Sequence, residues 1–137
     1  MSKPIPMIQK YMTTCPETIG QDQPMSTAHQ VMREHDIRHL PVLAGGHIVG
    51  IVSDRDLSLM ETLKDVDPKK VTVEEAMSRD PYVVGPDAPL DDVLREMASR
   101  KYGSTVVADR GKVVGIFTTV DACAAFAELL RTRLEHA

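Results

Sequence analysis

Two stretches of sequence decide the fold: Gly50-Ile51-Val52-Ser53-Asp54-Arg55-Asp56 and the matching Gly115-Ile116-Phe117-Thr118-Thr119-Val120-Asp121. In each, an apolar run typical of a buried strand precedes a hydroxyl residue, and a carboxylate follows three positions later at the start of a predicted helix. The unpaired N–H groups of a helix start suit phosphate, and the carboxylate can accept hydrogen bonds from a vicinal diol such as that of ribose. Each stretch therefore predicts a nucleotide-binding corner. We name Ser53 with Asp56 the first corner, and Thr118 with Asp121 the second corner.

The two halves of the chain match without a gap at an offset of 65 residues. Such regular spacing indicates an internal duplication, with a first repeat at 1–65, a second at 66–137, and a polar, proline-containing linker at Asp65–Lys70. The identical pairs are Met12/Met77, Pro16/Pro81, Gly20/Gly85, Asp22/Asp87, Pro24/Pro89, Met32/Met97, Val42/Val107, Gly46/Gly111, Val49/Val114, Gly50/Gly115, Ile51/Ile116 and Asp56/Asp121.

Each repeat is predicted to form a β-α-β-β-α unit with a short opening helix. One unit of roughly 60 residues would bury too little surface alone, so we expect an α/β fold of two pseudo-symmetric repeats packed sheet to sheet, with a ligand cleft between them. The predicted elements of the first repeat are a helix at Ile8–Met12, a strand at Thr18–Ile19, a helix from Met25, strands at Leu40–Leu43 and His47–Val52, and a helix at Arg55–Lys64. Those of the second are a helix at Val73–Met77 with a Thr72/Glu75 capping box, a strand at Tyr82–Val84, a helix from Leu90, strands at Thr105–Ala108 and Lys112–Phe117, and a helix at Ala122–Leu134.

Composition is that of a soluble globular protein. The chain has 137 residues, 42% hydrophobic and 26% charged. Its net charge of −4 gives neither the basic footprint of a nucleic-acid-binding protein nor a polybasic membrane anchor. No apolar run suits a signal peptide or reaches membrane-spanning length. Cys15 and Cys123 follow no disulfide pattern, so we expect reduced thiols in a cytoplasmic protein.

Three linked motifs carry a family resemblance that covers the chain from about Ile8 to the last helix. They are Met12-x-x-x-Pro16, Ile37-Arg38-His39-Leu40-Pro41-Val42, and Gly50-x-x-Ser53-x-x-Asp56 with its second copy. Together they resemble the tandem cystathionine-β-synthase (CBS) domain pair, often called a Bateman module. The resemblance implies a stand-alone regulatory protein, not an enzyme, that binds AMP, ADP, ATP, S-adenosylmethionine or NAD between its repeats.

The resemblance also implies roles for individual residues. Asp56 and Asp121 would accept hydrogen bonds from ribose hydroxyls, and Ser53 and Thr118 would contact ribose or phosphate. The candidate phosphate contacts are Arg38, which matches a phosphate-contacting position in the nucleotide-binding subunit of AMP-activated protein kinase, Arg55 beside Ser53, and His39. The base would lie against Thr18, Ile19, Leu40, Pro41 and Val42 in the first repeat, and against Val83, Val84, Val106 and Val107 in the second.

The two corners differ in positive charge. Arg38 is replaced by Gly103 in the second repeat, and Arg55 by Val120. Because charge-assisted contacts to phosphate are worth on the order of 1.5–3 kcal/mol each, we expect the first corner to bind a phosphorylated nucleotide more tightly. The second corner would take a less charged adenosine ligand or use Arg100, Lys101 or Lys112.

Some of these features have simpler interpretations. The aspartates and hydroxyl residues at the helix starts could serve only as caps, and Arg55 could pair with Asp54 or Glu61. No group of histidines has zinc-ligand spacing, so no metal site is predicted. A chain with degenerate sites could be only an interaction scaffold, and a weak enzyme would need a nucleophile–base pair or a phosphate loop that the sequence lacks.

The last helix carries an apolar stripe that suits packing on its own repeat. The family resemblance also implies homodimerisation through such helices, and we favour this interpretation. It further implies that the protein regulates an effector protein, which the sequence does not identify. The stripe consists of Ala122, Ala125, Phe126, Leu129, Leu130 and Leu134. Methionines at repeat-matched positions are expected in the core: Met12, Met25, Met32, Met77 and Met97.

Overall fold

A computed structural model describes residues 4–134 as a mixed α/β fold divided into two compact units. The first-repeat unit comprises Pro16–Pro81, and the three residues Gly111–Val113 group with it. The second-repeat unit comprises the segment that ends at Cys15, Tyr82–Arg110, and the chain from Val114 onward. The α/β class predicted from the sequence is therefore confirmed.

The first-repeat unit is built on a three-stranded sheet in the order β2-β3-β4. Strand β2 is parallel to β3, and β3 forms an antiparallel hairpin with β4 in which His39 pairs with Ser53. Its elements are β2 (Ile19–Gly20), β3 (His39–Ala44) and β4 (His47–Ser53), with helices α1 (Met25–His35), α2 (Asp54–Glu61) and α3 (Val73–Ala76).

The second-repeat unit repeats this plan and adds one strand, in the sheet order β1-β7-β6-β5. Strand β1 pairs antiparallel with β7, placing Thr13 opposite Ile116, and β5 is parallel to β6. Its elements are β1 (Thr13–Thr14), β5 (Val83–Val84), β6 (Ser104–Asp109) and β7 (Lys112–Thr118), with α4 (Leu90–Arg100), α5 (Thr119–Leu134) and a single 3-10 turn at Ile8–Lys10.

The opening segments of the two repeats are exchanged. Ile8 belongs to the core of the second-repeat unit with Leu90 and Phe117. Val73 and Met77 belong to the core of the first-repeat unit. The compact units therefore differ from the sequence repeats at 1–65 and 66–137, which stay proposed boundaries of the duplication.

Glycine makes room for these exchanged segments. A Cβ atom on Gly50 would lie 2.6 Å from the Met77 sulfur and 2.6 Å from the Ser78 carbonyl oxygen. A Cβ atom on Gly115 would collide with the side chain of Met12. The glycine that opens each corner thus has a packing role that is independent of any ligand.

The predicted elements are present with shifted ends. The opening helix predicted at Ile8–Met12 is only a 3-10 turn, and the final helix begins at Thr119, before its predicted start. The capping box at α3 is confirmed, since the Thr72 N–H donates to the Glu75 carboxylate at 3.2 Å. Four of the expected core methionines are buried, namely Met25, Met32, Met77 and Met97, and Met12 is half-buried.

One buried polar group lacks a partner among the described residues. Thr105 on β6 is fully buried, and its hydroxyl makes no hydrogen bond. The matching position in the first repeat is the buried Leu40. Replacing Thr105 with the isosteric valine should raise the free energy of unfolding by about 1 kcal/mol, because an unpaired buried hydroxyl is costly.

Urea unfolding of the Thr105→Val variant checks this expectation. Thr14→Val is the matched control, since Thr14 is exposed on β1 and its replacement should change stability by less than about 0.5 kcal/mol. A loss of stability in Thr105→Val would show that the hydroxyl has a partner in the folded protein.

Candidate functional site

The first corner forms where β4 passes into α2. The Ser53 N–H donates to Asp56 Oδ2 at 2.9 Å, and the Asp56 N–H donates to Ser53 Oγ at 3.1 Å, a reciprocal capping box. The Asp54 N–H donates to the Arg38 carbonyl at 2.9 Å, which ties the start of α2 to the residue before β3. Capping is thus confirmed for this pair. It leaves Asp56 Oδ1 without a hydrogen bond from any described residue.

His39 pairs with Ser53 across the β3–β4 hairpin, and its imidazole is close enough to interact with the Asp56 carboxylate. Burial lowers the pKa of the His39 imidazole, and the nearby Asp56 carboxylate opposes that shift. The net lowering favours a neutral imidazole near pH 7, which can donate one hydrogen bond and accept another. His39 is therefore suited to a polar contact and not to a fixed positive charge.

Two cations flank the corner on exposed positions. Within residues 4–134, neither Arg38 nor Arg55 takes part in an ion pair or a side-chain hydrogen bond. The simpler interpretation that Arg55 pairs with Asp54 or Glu61 is wrong for this structure. Glu61 instead contacts His29 Nε2 at 2.6 Å. Both guanidinium groups are available to an anion.

The second corner has the same backbone and more hydrogen bonds. The Thr118 N–H donates to Asp121 Oδ2 at 2.9 Å, and the Asp121 N–H donates to Thr118 Oγ1 at 3.3 Å. The Thr118 hydroxyl is 3.2 Å from Asp121 Oδ2. The Thr13 hydroxyl, on the exchanged opening segment, is 3.2 Å from Oδ1 and 3.4 Å from Oδ2. Both carboxylate oxygens of Asp121 therefore have protein donors.

Sequence reasoning missed Thr13. The residue at the same repeat position is Ser78, so a hydroxyl in both copies was a visible signal. The contact with Asp121 could be expected only with the knowledge that each opening segment packs in the unit of the other repeat. The Ser78 hydroxyl makes no hydrogen bond to Asp56 in the described structure, although Ser78 bridges Ile51 as Thr13 bridges Ile116.

The residues proposed to hold the base divide into two sets by burial. One set is buried in the hydrophobic cores of the two units, where no ligand reaches the side chains: Ile19, Leu40, Val42 and Val107. Pro41 and Val106 lie on the opposite sheet face, since side chains alternate along a strand, but both are buried as well, Val106 with only 1% of its surface exposed. Val83 is 39% exposed, and Val84 and Thr18 are half-buried. Of the proposed base contacts, only Val83, Val84 and Thr18 therefore have side chains that a ligand could reach.

A cavity of about 410 Å³ lies at the turn end of the first-repeat sheet. Its lining includes the proposed contacts Thr18 and Ile19, with Asp22 and the glycine turn of the β3–β4 hairpin. Ser53 stands at the other end of β4, so this cavity does not contain the first corner. Within the first-repeat unit the structure brings Arg38, His39, Ser53 and Asp56 together. Thr18 and Ile19 line this separate cavity, on the strand that runs beside β3.

The structure also places the apolar stripe of the last helix and the two cysteines. On α5, Ala125 is buried, whereas Phe126 and Leu130 are 63% and 42% exposed, so the predicted single stripe is divided between core and surface; Leu134's side chain lies outside the described set. Cys15 and Cys123 are both exposed free thiols. Among residues 4–134 no cluster of three His, Cys, Asp or Glu side chains could hold a metal ion. The helices of this part of the chain are all too short or too polar to cross a membrane.

Comparison with known proteins gives consistent matches. A family model described as the CBS domain matches residues 8–59 and again residues 73–128. Inosine-5′-monophosphate dehydrogenase of Korarchaeum cryptofilum is 30% identical over 88% of this chain, which spans only 24% of that protein. A candidate acetoin utilization protein (AcuB) from Vibrio cholerae superposes with a TM-score of 0.84 at 28% identity, over 96% of this chain and 98% of the other. The CBS domain pair of protein MJ0100, solved with 5′-methylthioadenosine and S-adenosyl-L-methionine, has a TM-score of 0.80 at 26% identity, covering 91% and 98%.

Proposed function

The chain belongs to the CBS domain family, and on that premise we propose that it is a regulatory sensor that binds an adenosine nucleotide at its first corner. The observation that carries the proposal is the free Oδ1 of Asp56, held beside the N-terminus of α2. A ribose diol would donate to this oxygen, and the Ser53 hydroxyl, which accepts from the Asp56 N–H, keeps its own proton to donate.

The two unpaired arginines favour a phosphorylated ligand. Arg38 immediately precedes β3 and Arg55 lies in the first turn of α2, so both adjoin the first corner. Guanidinium groups bind phosphate with charge-assisted, often bidentate hydrogen bonds. The MJ0100 domain pair was solved with two adenosine compounds that carry no phosphate, which supports an adenosine-containing ligand for this chain. The preference for phosphate rests on the two arginines alone. AMP, ADP or ATP is therefore our first choice, with S-adenosylmethionine or NAD as the alternative.

The output of the sensor would be a change of conformation that an effector protein detects. A ligand shifts such an equilibrium only by its differential affinity for the two arrangements.

We propose that the chain acts as a homodimer through its terminal helices. Helix α5 exposes three large apolar side chains that a second copy could cover: Val120, Phe126 and Leu130. The proposal includes no catalytic step. Two free thiols suit a cytoplasmic location.

A thermal-shift panel with AMP, ADP, ATP, NAD and S-adenosylmethionine tests the proposal. A ligand that binds only the folded state raises the melting temperature by mass action. We expect a shift with at least one of the five and its loss in the Asp56→Ala/Asp121→Ala double variant. No shift with any ligand would contradict the sensor.

The second candidate function is an interaction or dimerisation scaffold without a ligand. The occupied oxygens of Asp121 and the exposed apolar side chains of α5 favour it. Under this alternative both aspartates serve only as caps. The panel would then show no shift, and the oligomeric state would depend on α5 alone.

A further inference from the structure

The two corners differ in one contact that charge does not explain. In the second corner, the Thr13 hydroxyl lies 3.2 Å and 3.4 Å from the two oxygens of Asp121. In the first corner, the matching hydroxyl of Ser78 makes no hydrogen bond to Asp56 in the described structure. The same carboxylate is thus occupied in one repeat and open in the other.

Thr13 is held in this position by the exchanged opening segment. It pairs with Ile116 in the β1–β7 ladder, and the Cys15 N–H donates to the Val114 carbonyl at 3.2 Å. The hydroxyl therefore approaches Asp121 from a paired backbone, not from a free loop. Thr13 itself is exposed, so solvent or a ligand can reach the contact.

The Thr13 hydroxyl competes for the carboxylate oxygen that a sugar diol would need. Asp121 Oδ2 already accepts from the Thr118 N–H at 2.9 Å and from the Thr118 hydroxyl at 3.2 Å, so Oδ1 is the oxygen left for a diol. Thr13 donates to that oxygen. Each carboxylate oxygen has about two acceptor sites, and Thr13 occupies one of those on Oδ1. A ribose that donated both hydroxyls of its diol to this oxygen would therefore have to displace the Thr13 hydroxyl.

We propose that Thr13 is a selectivity-determining residue, whose hydroxyl keeps ribose ligands out of the second corner while the first corner stays open to them. This inference rests on the proposed function, since it takes the corners to be sites for a ribose ligand such as AMP. Removing the Thr13 hydroxyl should strengthen AMP binding at the second corner about tenfold. This is the lower end of the range for hydrogen bonds to a charged group, and we choose it because the contact is exposed.

The test isolates the second corner in an Asp56→Ala background and measures AMP binding by calorimetry. Adding Thr13→Val, which keeps the β-branched shape that suits a strand, should raise the AMP affinity about tenfold. The gain should be absent with 2′-deoxy-AMP, which lacks the diol, and should disappear when Asp121→Ala is added. Thr13→Ser keeps the hydroxyl and should give no gain.

Two outcomes would overturn the inference. One is equal AMP affinity for Asp56→Ala with and without Thr13→Val. The other is an equal gain from Thr13→Ser, which would show that bulk and not the hydroxyl is the barrier. Thr13→Ala is a second hydroxyl-free variant, so the result does not depend on how one variant folds. Failure of the proposed function is seen separately, as wild-type protein whose AMP binding is absent or insensitive to Asp56→Ala.

Discussion

Replacing Asp56 with alanine should weaken AMP binding by about 10- to 100-fold, the range expected when a hydrogen bond to a charged group is lost. Asp121→Ala should change the affinity by less than about threefold, because the oxygens of Asp121 already accept from Thr13 and Thr118. Isothermal titration of AMP into each variant measures both values.

The two substitutions control for each other. Each removes a carboxylate that accepts from the N–H of its own N-cap residue at 2.9 Å, so each loses the same capping contact. The expected cost of losing this capping contact is about 1 kcal/mol in each variant. Asp121→Ala should cost a few tenths of a kcal/mol more, because it also loses the exposed contacts to the Thr13 and Thr118 hydroxyls. The ligand effect should differ in the opposite direction. Equal losses of AMP affinity in both variants would contradict the asymmetry between the corners.

Gly50→Ala should lower the free energy of unfolding by about 2–3 kcal/mol, near the upper end of the cost of overpacking. The new methyl group would meet the Ser78 carbonyl oxygen at 2.6 Å, and this backbone is fixed by two hydrogen bonds to Ile51, at 3.0 Å and 2.9 Å. A backbone held on both sides cannot move away without breaking that bridge.

Gly115→Ala is the matched control for this prediction. A methyl group there meets only the side chain of Met12, which is flexible and can turn aside. Its cost should be about 1 kcal/mol or less. Chemical denaturation of the two variants gives the comparison, and a larger loss in Gly115→Ala than in Gly50→Ala would refute the packing role assigned to Ser78.

The offset of 65 residues was sufficient to predict the fold class and the two corners. Strand-to-helix junctions are local, so Ser53 with Asp56 and Thr118 with Asp121 meet at each helix start as expected. Exchange of the opening segments could not be predicted in this way. A duplication in the sequence shows that the two opening segments are alike. It does not show which of the two repeats each opening segment packs against.

The burial of the proposed base contacts was partly predictable. Alternation along β3 places Leu40 and Val42 on one face and Pro41 on the other, a period visible in the sequence, and the structure buries all three. Which face meets the core depends on where α1 packs, which is a tertiary feature. The contact of Thr13 with Asp121 depends on the exchange as well. The ligand roles of all these residues stay predictions.

The stoichiometry of AMP binding to the wild-type chain, measured by isothermal titration calorimetry, tests the central claim most directly. An open oxygen at Asp56 and an occupied carboxylate at Asp121 predict one AMP per chain in the high-affinity range. Two equivalent AMP molecules per chain, or none, would contradict this account.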